Sequence, residues 1–220
     1  MELLNINLMT IILSSLGQTL TMVSVSAVIG ICLGVPLGAF MFVASPRGLG
    51  SLQICYKPFS FIINMLRSIP FIILTVLLIP LTRLFVGTSI GTEAAIIPLS
   101  VCAILLIARS TEEGLCDVPK SFHDLGFSLG MSHSQIVRHI LMWEALPGLV
   151  GSYTTIIINL IGFSAMAGTM GGGGLGDLAI RYGYQRYDTT LMIIIVLILV
   201  VIVQLTQAFG KYLSEKIRHT

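Results

Sequence analysis

The feature that most restricts the fold of this chain is a series of long stretches without a charged side chain. No Asp, Glu, Lys or Arg lies between Glu2 and Arg47, and none lies in residues 189–210. A helix needs about 20 apolar residues to cross the roughly 30 Å of hydrocarbon in a bilayer. We therefore expect an all-α polytopic membrane protein with about five transmembrane helices. The predicted spans cover about residues 17–44, 59–81, 90–108, 149–169 and 189–210.

The low charge of the chain excludes several classes of protein. Charged residues make up 10% of the sequence, against about 25% in a soluble domain, so neither a soluble fold nor a disordered chain is expected. The net charge of +2 forms no concentrated basic patch, so no nucleic-acid partner is expected. The first residues lack the positive flank and cleavage pattern of a secretory signal. The sequence predicts an external amino-terminal segment over 1–16, a transmembrane domain over 17–210 and a cytoplasmic tail over 211–220.

The distribution of Lys and Arg predicts the direction of insertion, because cytoplasmic loops of membrane proteins carry an excess of these residues. With the amino terminus outside and five spans, the inner segments hold eight of them and the outer segments three, while Arg67 lies within a span. We therefore expect a cytoplasmic carboxyl terminus and a cytoplasmic loop over residues 109–147. The eight inner residues are Arg47, Lys57, Arg109, Lys120, Arg138, Lys211, Lys216 and Arg218.

The predicted cytoplasmic loop contains the pattern of two helices joined at a glycine. Pro119 suits a first helical position, and Phe122, Leu125 and Leu129 recur on one helical face. Gly130 suits the left-handed position that follows a helix. Ser132 and Gln135 have the spacing of a capping box that starts a second helix, which Pro147 and Gly148 are expected to end before the fourth span. The two helices either lie on the membrane interface or dock into a groove of a cytoplasmic partner.

At this point the sequence resembles a known family. The segments Asp124-Leu125-Gly126, Gly130, 135–138 and 144–148 resemble the EAA loop of ABC-importer permeases. The resemblance implies that the loop forms a coupling helix seated in a cleft of the ATPase subunit. Two departures are visible, since Asp124 is followed by Leu and Gly rather than two alanines, and Met142-Trp143 replaces a Leu-Pro pair. The implied coupling residues are Asp124, Gly130, Met131, Ser132, Gln135, Ile136 and Arg138.

Segments elsewhere in the chain are similar to the permeases of methionine ABC importers. They are residues 67–74, 86–91, 162–166, the glycine-rich run 171–176 and Tyr182-Gly183-Tyr184. The resemblance implies a type I importer fold in the bacterial inner membrane and a homodimer. It also implies an ATPase dimer in the cytoplasm, a methionine-binding lipoprotein outside and contact with membrane lipid.

The chain itself lacks the groups for ATP chemistry and for metal binding. No GxxxxGK[ST] sequence is present, and the glycine-rich run lacks the Lys and hydroxyl of a phosphate-binding loop. The four cysteines, Cys32, Cys55, Cys102 and Cys116, show no CxxC spacing. We therefore expect no catalytic residue, no metal and no cofactor on this chain, with ATP and Mg bound by the partner ATPase.

Two places are candidates for the translocation pathway. Met166 stands among small residues that include Ser164 and Gly168, and it forms either a soft constriction on the pathway or ordinary core packing. Arg67, followed by Ser68, is the main charge within a predicted span. A charge there must face protein, water or a helix end, so Arg67 is either a structural residue or a contact for a substrate carboxylate.

Three further patterns carry structural expectations. Gly30, Gly34 and Gly38 recur every four residues, which favours close packing of the first span against another helix. The glycine run 171–176 is either a flexible external loop or a re-entrant turn, and the tyrosines after it suit an aromatic belt or a contact with an external binding protein. Surface roles are expected for the histidines at the cytoplasmic side, His123, His133, His139 and His219.

Two other function classes fit the sequence less well. An ion-coupled secondary transporter of small amino acids usually places acidic residues at mid-membrane and shows internal repeats. Here Glu93, Glu112 and Glu113 lie at predicted span ends. An intramembrane protease would need a Ser-His or paired-Asp arrangement within the spans, and the sequence has none. The sequence therefore favours a permease for methionine or a closely related amino acid.

Overall fold

The structure is a computed structural model that describes residues 2–46, 48–49 and 53–218. All regular elements in these residues are helices, which confirms the all-α prediction. Arg47 and His219, both placed inside by the sequence, lie outside the described residues. The helices are α1 (Glu2–Ala44), α2 (Gln53–Arg67), α3 (Phe71–Leu77), α4 (Ile79–Val86), α5 (Thr92–Cys116), α6 (Lys120–Ser128), α7 (His133–Gly172), α8 (Gly174–Leu178, continued by the wider turns of Ala179–Tyr184) and α9 (Thr189–Arg218).

Among the described helices, four are long and apolar enough to cross a membrane by length and composition. They are α1 from Met9, α5, α7 and α9. The pair α2 and α3 supplies a fifth span if the two are counted together. The long helices extend beyond the predicted spans, since α1 begins at Glu2, α5 ends at Cys116 and α9 ends at Arg218.

The segment predicted as the second span, about 59–81, is not a single helix. The helical path breaks after Arg67 and resumes at Phe71, and a second break at Leu78 separates α3 from α4. Pro70 is the reason for the first break. It stands before α3 with φ −54° and ψ 137°, and a proline disfavours helical geometry in the residue that precedes it.

The prediction that Pro147 and Gly148 end the second loop helix is wrong. The helix α7 runs without interruption from His133 through Pro147 to its kink at Gly171. Prolines are tolerated inside membrane helices where wider turns and neighbouring hydroxyls adjust the local hydrogen bonding. Upstream of Pro147, residues Val137–Leu141 form π-helical turns, and the Ser214 hydroxyl of α9 donates to the Pro147 carbonyl over 2.8 Å. The second loop helix and the fourth predicted span are therefore one helix.

The chain divides into two compact units. Unit 1 comprises Met1–Val28, Ile69–Cys102 and Ile157–Gln207, and unit 2 comprises Ile29–Ser68, Ala103–Ile156 and Ala208–Thr220. Unit 1 has a core of Leu175, Leu178, Leu191 and Ile195. The core of unit 2 includes Phe42, Leu115, Ile136, Leu141 and Leu149, each at most 1% exposed. Of the described Lys and Arg residues, eight lie in unit 2 and three in unit 1.

The glycine stripe of α1 packs against α5 within unit 2, as the sequence predicts. A Cβ atom on Gly30 would lie 2.6 Å from the Ala103 Cβ, and one on Gly34 would lie 2.9 Å from the Ile107 Cβ. The absence of side chains at these positions lets the two backbones approach closely.

Candidate functional site

The loop between α5 and α7 has the predicted helix–glycine–helix form. Pro119 precedes α6 as its N-cap, one position earlier than expected. Gly130 has φ +71°, a left-handed conformation that glycine adopts without steric cost. The Gly130 N–H donates to the Phe127 carbonyl over 3.0 Å and the Met131 N–H to the Gly126 carbonyl over 3.1 Å. This pair of bonds is a Schellman motif, which ends α6 and reverses the chain.

The predicted capping box at the start of α7 is present. The Ser132 N–H donates to Gln135 Oε1 over 2.8 Å, and the Ser132 hydroxyl donates to the same oxygen over 3.0 Å. These bonds satisfy polar groups that a helix start otherwise leaves without a partner. The turn between α6 and α7 is therefore fixed by local bonds on both sides of Gly130.

The tip of this loop exposes apolar side chains. Phe122 packs against the core of unit 2, whereas Leu125 is 51%, Phe127 48% and Leu129 66% exposed. We call Leu125, Phe127 and Leu129 the loop patch. Large exposed apolar side chains on one short loop suit a contact with another molecule. The sequence pattern placed Phe122, Leu125 and Leu129 on one helical face. In the structure Phe122 is half-buried against the core, and Phe127, on another side of α6, is exposed as well.

The coupling residues implied by the resemblance differ in exposure. Ile136 is fully buried in the core of unit 2, and its side chain covers Gly126, where a Cβ would lie 2.6 Å from Ile136 Cγ1. Ile136 therefore positions α6 and does not present a contact surface. Met131 is half-buried against the same core. The exposed members are Asp124, Gly130, Ser132, Gln135 and Arg138.

His123 is buried, so the expected surface role is wrong for this histidine. The side chain is 9% exposed, and its ring meets the Phe42 ring edge-on with centroids 5.8 Å apart. No described group bonds to His123 Nε2. Burial lowers the pKa of His123, with a smaller opposing effect of Asp124 and a further lowering by Lys120. The neutral ring therefore acts as an apolar packing group beneath α6.

A buried ion pair lies beside the loop in unit 2. The Arg109 guanidinium donates to Glu112 Oε2 and to Glu113 Oε1, each over 2.8 Å. The Tyr56 hydroxyl donates to Glu112 Oε1 over 2.8 Å. Glu112 is 3% exposed and Glu113 is 60% exposed. The network joins α2 to α5, and no local pattern indicates the Tyr56 contact, because 56 residues separate the partners.

The pathway candidates of unit 1 lie in different environments. Ser164 is buried and donates to the Ile161 carbonyl over 2.7 Å. Gly168 is buried too, and a Cβ there would lie 2.6 Å from the Asp177 N atom. Met166 is 44% exposed. Of these three, Met166 alone presents a side chain at the surface of the chain.

The candidates of unit 2 lie at the end of α2. Arg67 and Ser68 are both exposed. The Ser68 hydroxyl donates to the Met65 carbonyl over 2.7 Å, so it satisfies the helix end. No ion pair with Arg67 occurs in the described part of the chain. Its exposure agrees with the requirement that the charge face water, a helix end or another subunit.

The glycine run is a packed turn, which favours the second of the two structural alternatives. Gly173 and Gly174 have φ +79° and +81°. The Gly174 N–H donates to Gln18 Oε1 over 2.8 Å, and the Leu175 N–H donates to Thr19 Oγ1 over 2.9 Å. Side chains of α1 therefore satisfy the first N–H groups of α8, which the turn directs back along α7.

A cavity of about 180 Å³ lies within unit 1 near this turn. Apolar side chains of Ala95, Ala167 and Met170 line it together with the hydroxyls of Thr75 and Thr82. A dry cavity of about 150 Å³ accepts a ligand the size of benzene. Elsewhere in the described residues, no group of three or more His, Cys, Asp or Glu side chains is arranged to hold a metal ion.

Comparisons with known sequences show a consistent set of relatives. The model of the family described as "Binding-protein-dependent transport system inner membrane component" matches residues 34–219. A Vibrio cholerae serotype O1 protein named "Probable D-methionine transport system permease protein MetI" is 43% identical over 209 residues, covering 95% of this chain and 93% of the relative. The D-methionine transport system permease protein MetI of Escherichia coli K12 is 43% identical over 161 residues, covering 73% and 74%.

Solved structures show the same fold. A chain of the MetNI methionine ABC transporter in an inward-facing conformation has a TM-score of 0.92 and 41% identity, with 95% of this chain and 97% of that chain covered. A chain of an amino acid ABC transporter crystallised with histidines has a TM-score of 0.78 at 20% identity, with 97% of both chains covered. The second likeness concerns the fold alone.

Proposed function

This chain belongs to the family of binding-protein-dependent transport system inner membrane components, and on that basis we propose that it is the permease subunit of an ATP-driven ABC importer for methionine or a closely related amino acid. The proposed substrate rests on the 43% identity, over 95% of this chain, to the D-methionine permease relative. The fold supports the transporter class, because the likeness to the methionine transporter extends over nearly the whole chain. An ion-coupled secondary transporter is not favoured.

The chain forms the membrane path and does not hydrolyse ATP. It works as a dimer with a cytoplasmic ATPase, as the relationship to the methionine transporter implies. ATP and Mg would be bound by that ATPase, and we propose no cofactor on this chain. The continuous helix α7 supports a mechanical link, because it contains both His133 at the loop and Met166.

The loop patch is the proposed contact with the ATPase. Leu125, Phe127 and Leu129 are exposed beside a turn held by the Schellman motif and the capping box. Such a rigid apolar tip suits insertion of a helix into a groove. Among the residues implied by the family resemblance, Asp124, Gly130, Ser132 and Gln135 surround it and are accessible.

We expect Leu129→Asp to weaken the association of permease and ATPase about tenfold, since a charge replaces an apolar contact at the interface centre. Binding of the purified ATPase to permease in nanodiscs measures the effect. Ser121→Asp adds the same charge at an exposed position of the same loop, outside the loop patch, and serves as the control. Equal affinity of the two variants would remove the loop patch from the interface.

We further propose an external binding lipoprotein and an external amino terminus. The excess of Lys and Arg in unit 2 supports a cytoplasmic position for that unit. In unit 1, Tyr184 is 69% and Tyr187 87% exposed after α8. Exposed tyrosines suit either the membrane interface or a protein contact, and the family description itself includes dependence on a binding protein.

Met166 is the proposed gate residue, with Ser164 and Gly168 as its supports. Its exposed thioether would meet the Met166 of a second copy and close the path with a soft apolar contact. We expect Met166→Ala to raise ATP hydrolysis that is not linked to uptake. Unchanged uptake together with unchanged hydrolysis would exclude the gate.

The proposed function is tested by reconstitution. The permease and its ATPase are placed in vesicles with the methionine-binding protein, and uptake of labelled methionine is measured with ATP inside. We expect uptake to require ATP, the ATPase and the binding protein. Unlabelled methionine should compete with the labelled methionine for uptake. Uptake without ATP or failure of any ATPase to co-purify would contradict the proposal.

A further inference from the structure

A groove in unit 2 has one apolar wall and one polar end. The apolar wall comes from α1 and includes Val35, Ala39 and Val43. The polar end comes from the start of α7 and includes Ser132, Ser134 and Arg138. We call it the α1–α7 groove. Its volume is about 940 Å³, within the range of about 300–1,000 Å³ that small-molecule sites occupy.

The polar end of the groove carries an uncompensated positive charge. Arg138 is exposed, and the ion pairs of the described residues involve other cations, namely Arg109, Arg181 and Lys211. The hydroxyls of Ser132 and Ser134 lie at the same end. The Ser132 hydroxyl donates to Gln135 Oε1, so the Arg138 guanidinium is the main group that matches the oxygen atoms of a phosphate.

The apolar wall belongs to a helix that is long and apolar enough to span the membrane. The candidate span of α1 covers Met9–Ala44 and includes every α1 residue that lines the groove. The groove therefore extends from a hydrocarbon-facing helix to a cationic end, which is the polarity of a phospholipid. A free anion would leave the apolar wall unmatched, and the hydrocarbon position of that wall favours a lipid over a soluble peptide.

We propose that the α1–α7 groove binds one anionic phospholipid, with its phosphate at Arg138 and an acyl chain along Val35, Ala39 and Val43. The proposal rests on the membrane orientation given under the proposed function, in which unit 2 faces the cytoplasm. The inner leaflet carries anionic lipids that bind basic pockets between membrane helices. Binding there assigns Arg138 to lipid rather than to the ATPase contact.

The test uses the permease–ATPase complex in nanodiscs of phosphatidylglycerol and phosphatidylethanolamine. Native mass spectrometry after gentle detergent extraction counts the phosphatidylglycerol retained by each complex. One Lys or Arg near an anionic surface contributes about 1 kcal/mol, so we expect Arg138→Gln to lower retention about fivefold. Lys120→Gln removes a charge that is also exposed and lies in the same loop but outside the groove, and it should leave the retention of phosphatidylglycerol unchanged.

A second variant tests the apolar wall without changing a charge. Val35→Trp fills the groove and should also lower retention, whereas Leu33→Trp adds the same bulk to an exposed α1 position outside the groove and should not. Retention that is unchanged in Arg138→Gln overturns the proposal. Loss in Arg138→Gln with full retention in Val35→Trp also overturns it, because the site would then bind only an anion. If Arg138→Gln lowers the binding of the ATPase and leaves the retention of phosphatidylglycerol unchanged, Arg138 belongs to the ATPase contact. Absence of ATP-driven methionine uptake would refute the proposed function and leave the lipid result standing.

Discussion

Arg109→Met should lower the free energy of unfolding of the permease by about 3 kcal/mol, because it leaves a buried carboxylate without its counter-charge. Glu112 is 3% exposed and receives bonds from the Arg109 guanidinium and the Tyr56 hydroxyl, each over 2.8 Å. Removal of one member of a buried pair costs more than the pair contributes, since the remaining charge stays desolvated. Thermal unfolding of the purified permease–ATPase complex measures the loss.

The double variant Arg109→Met with Glu112→Leu separates charge burial from packing. Both groups become apolar, so most of the stability should return. Glu113, the other partner of Arg109, is 60% exposed, so water solvates its carboxylate when Arg109 is removed. Tyr56→Phe removes a single hydrogen bond and should cost only about 1 kcal/mol. If the double variant is as unstable as Arg109→Met, the cost comes from lost packing, and the electrostatic explanation fails.

Features with a short sequence signature were predictable. Gly130, Ser132 and Gln135 act on neighbours within a few residues, so the turn and the capping box follow from spacing alone. The stripe of Gly30 and Gly34 follows from helical periodicity. The long apolar helices follow from the missing charges, because a single physical requirement, burial in hydrocarbon, determines their composition.

Features set by distant partners were not predictable. Pro147 predicts a helix end in the sequence, yet α7 continues through it and packs there against α9, whose Ser214 hydroxyl donates to the Pro147 carbonyl. His123 reads as a surface residue because histidine in a loop is commonly solvated, yet Phe42 and the core of unit 2 enclose it. The Tyr56–Glu112 bond joins residues far apart in the chain. In each case a contact between elements overrides the local pattern.

The continuity of α7 changes the interpretation of coupling. The helix that starts at the Ser132 capping box does not end at Pro147, so its first turn and Met166 belong to one helix. The far end of that element is held by α8, which returns along it after the glycine turn. The stability of this return packing therefore determines whether a displacement at the loop reaches the proposed gate.

Gly176→Ala should abolish most uptake and lower the free energy of unfolding by about 3 kcal/mol, at the upper end of the range for overpacking. A Cβ on Gly176 would overlap the Ala165 Cα and carbonyl atoms of α7. These are backbone atoms that cannot rotate away, so α8 must move. Its movement also disturbs the bonds from Gly174 and Leu175 to the α1 side chains.

Gly162→Ala is the matched control for this prediction, since the same methyl group is added on α7 where a Cβ would meet nothing within 4 Å. Alanine is favoured over glycine inside a helix by about 0.8–1 kcal/mol, so this variant should be as stable as the native chain or slightly more stable. Thermal unfolding of the complex and uptake in vesicles measure both variants. Equal stability of Gly176→Ala and Gly162→Ala would show that α8 has room to move, and α8 would then not hold the end of α7 that carries Met166.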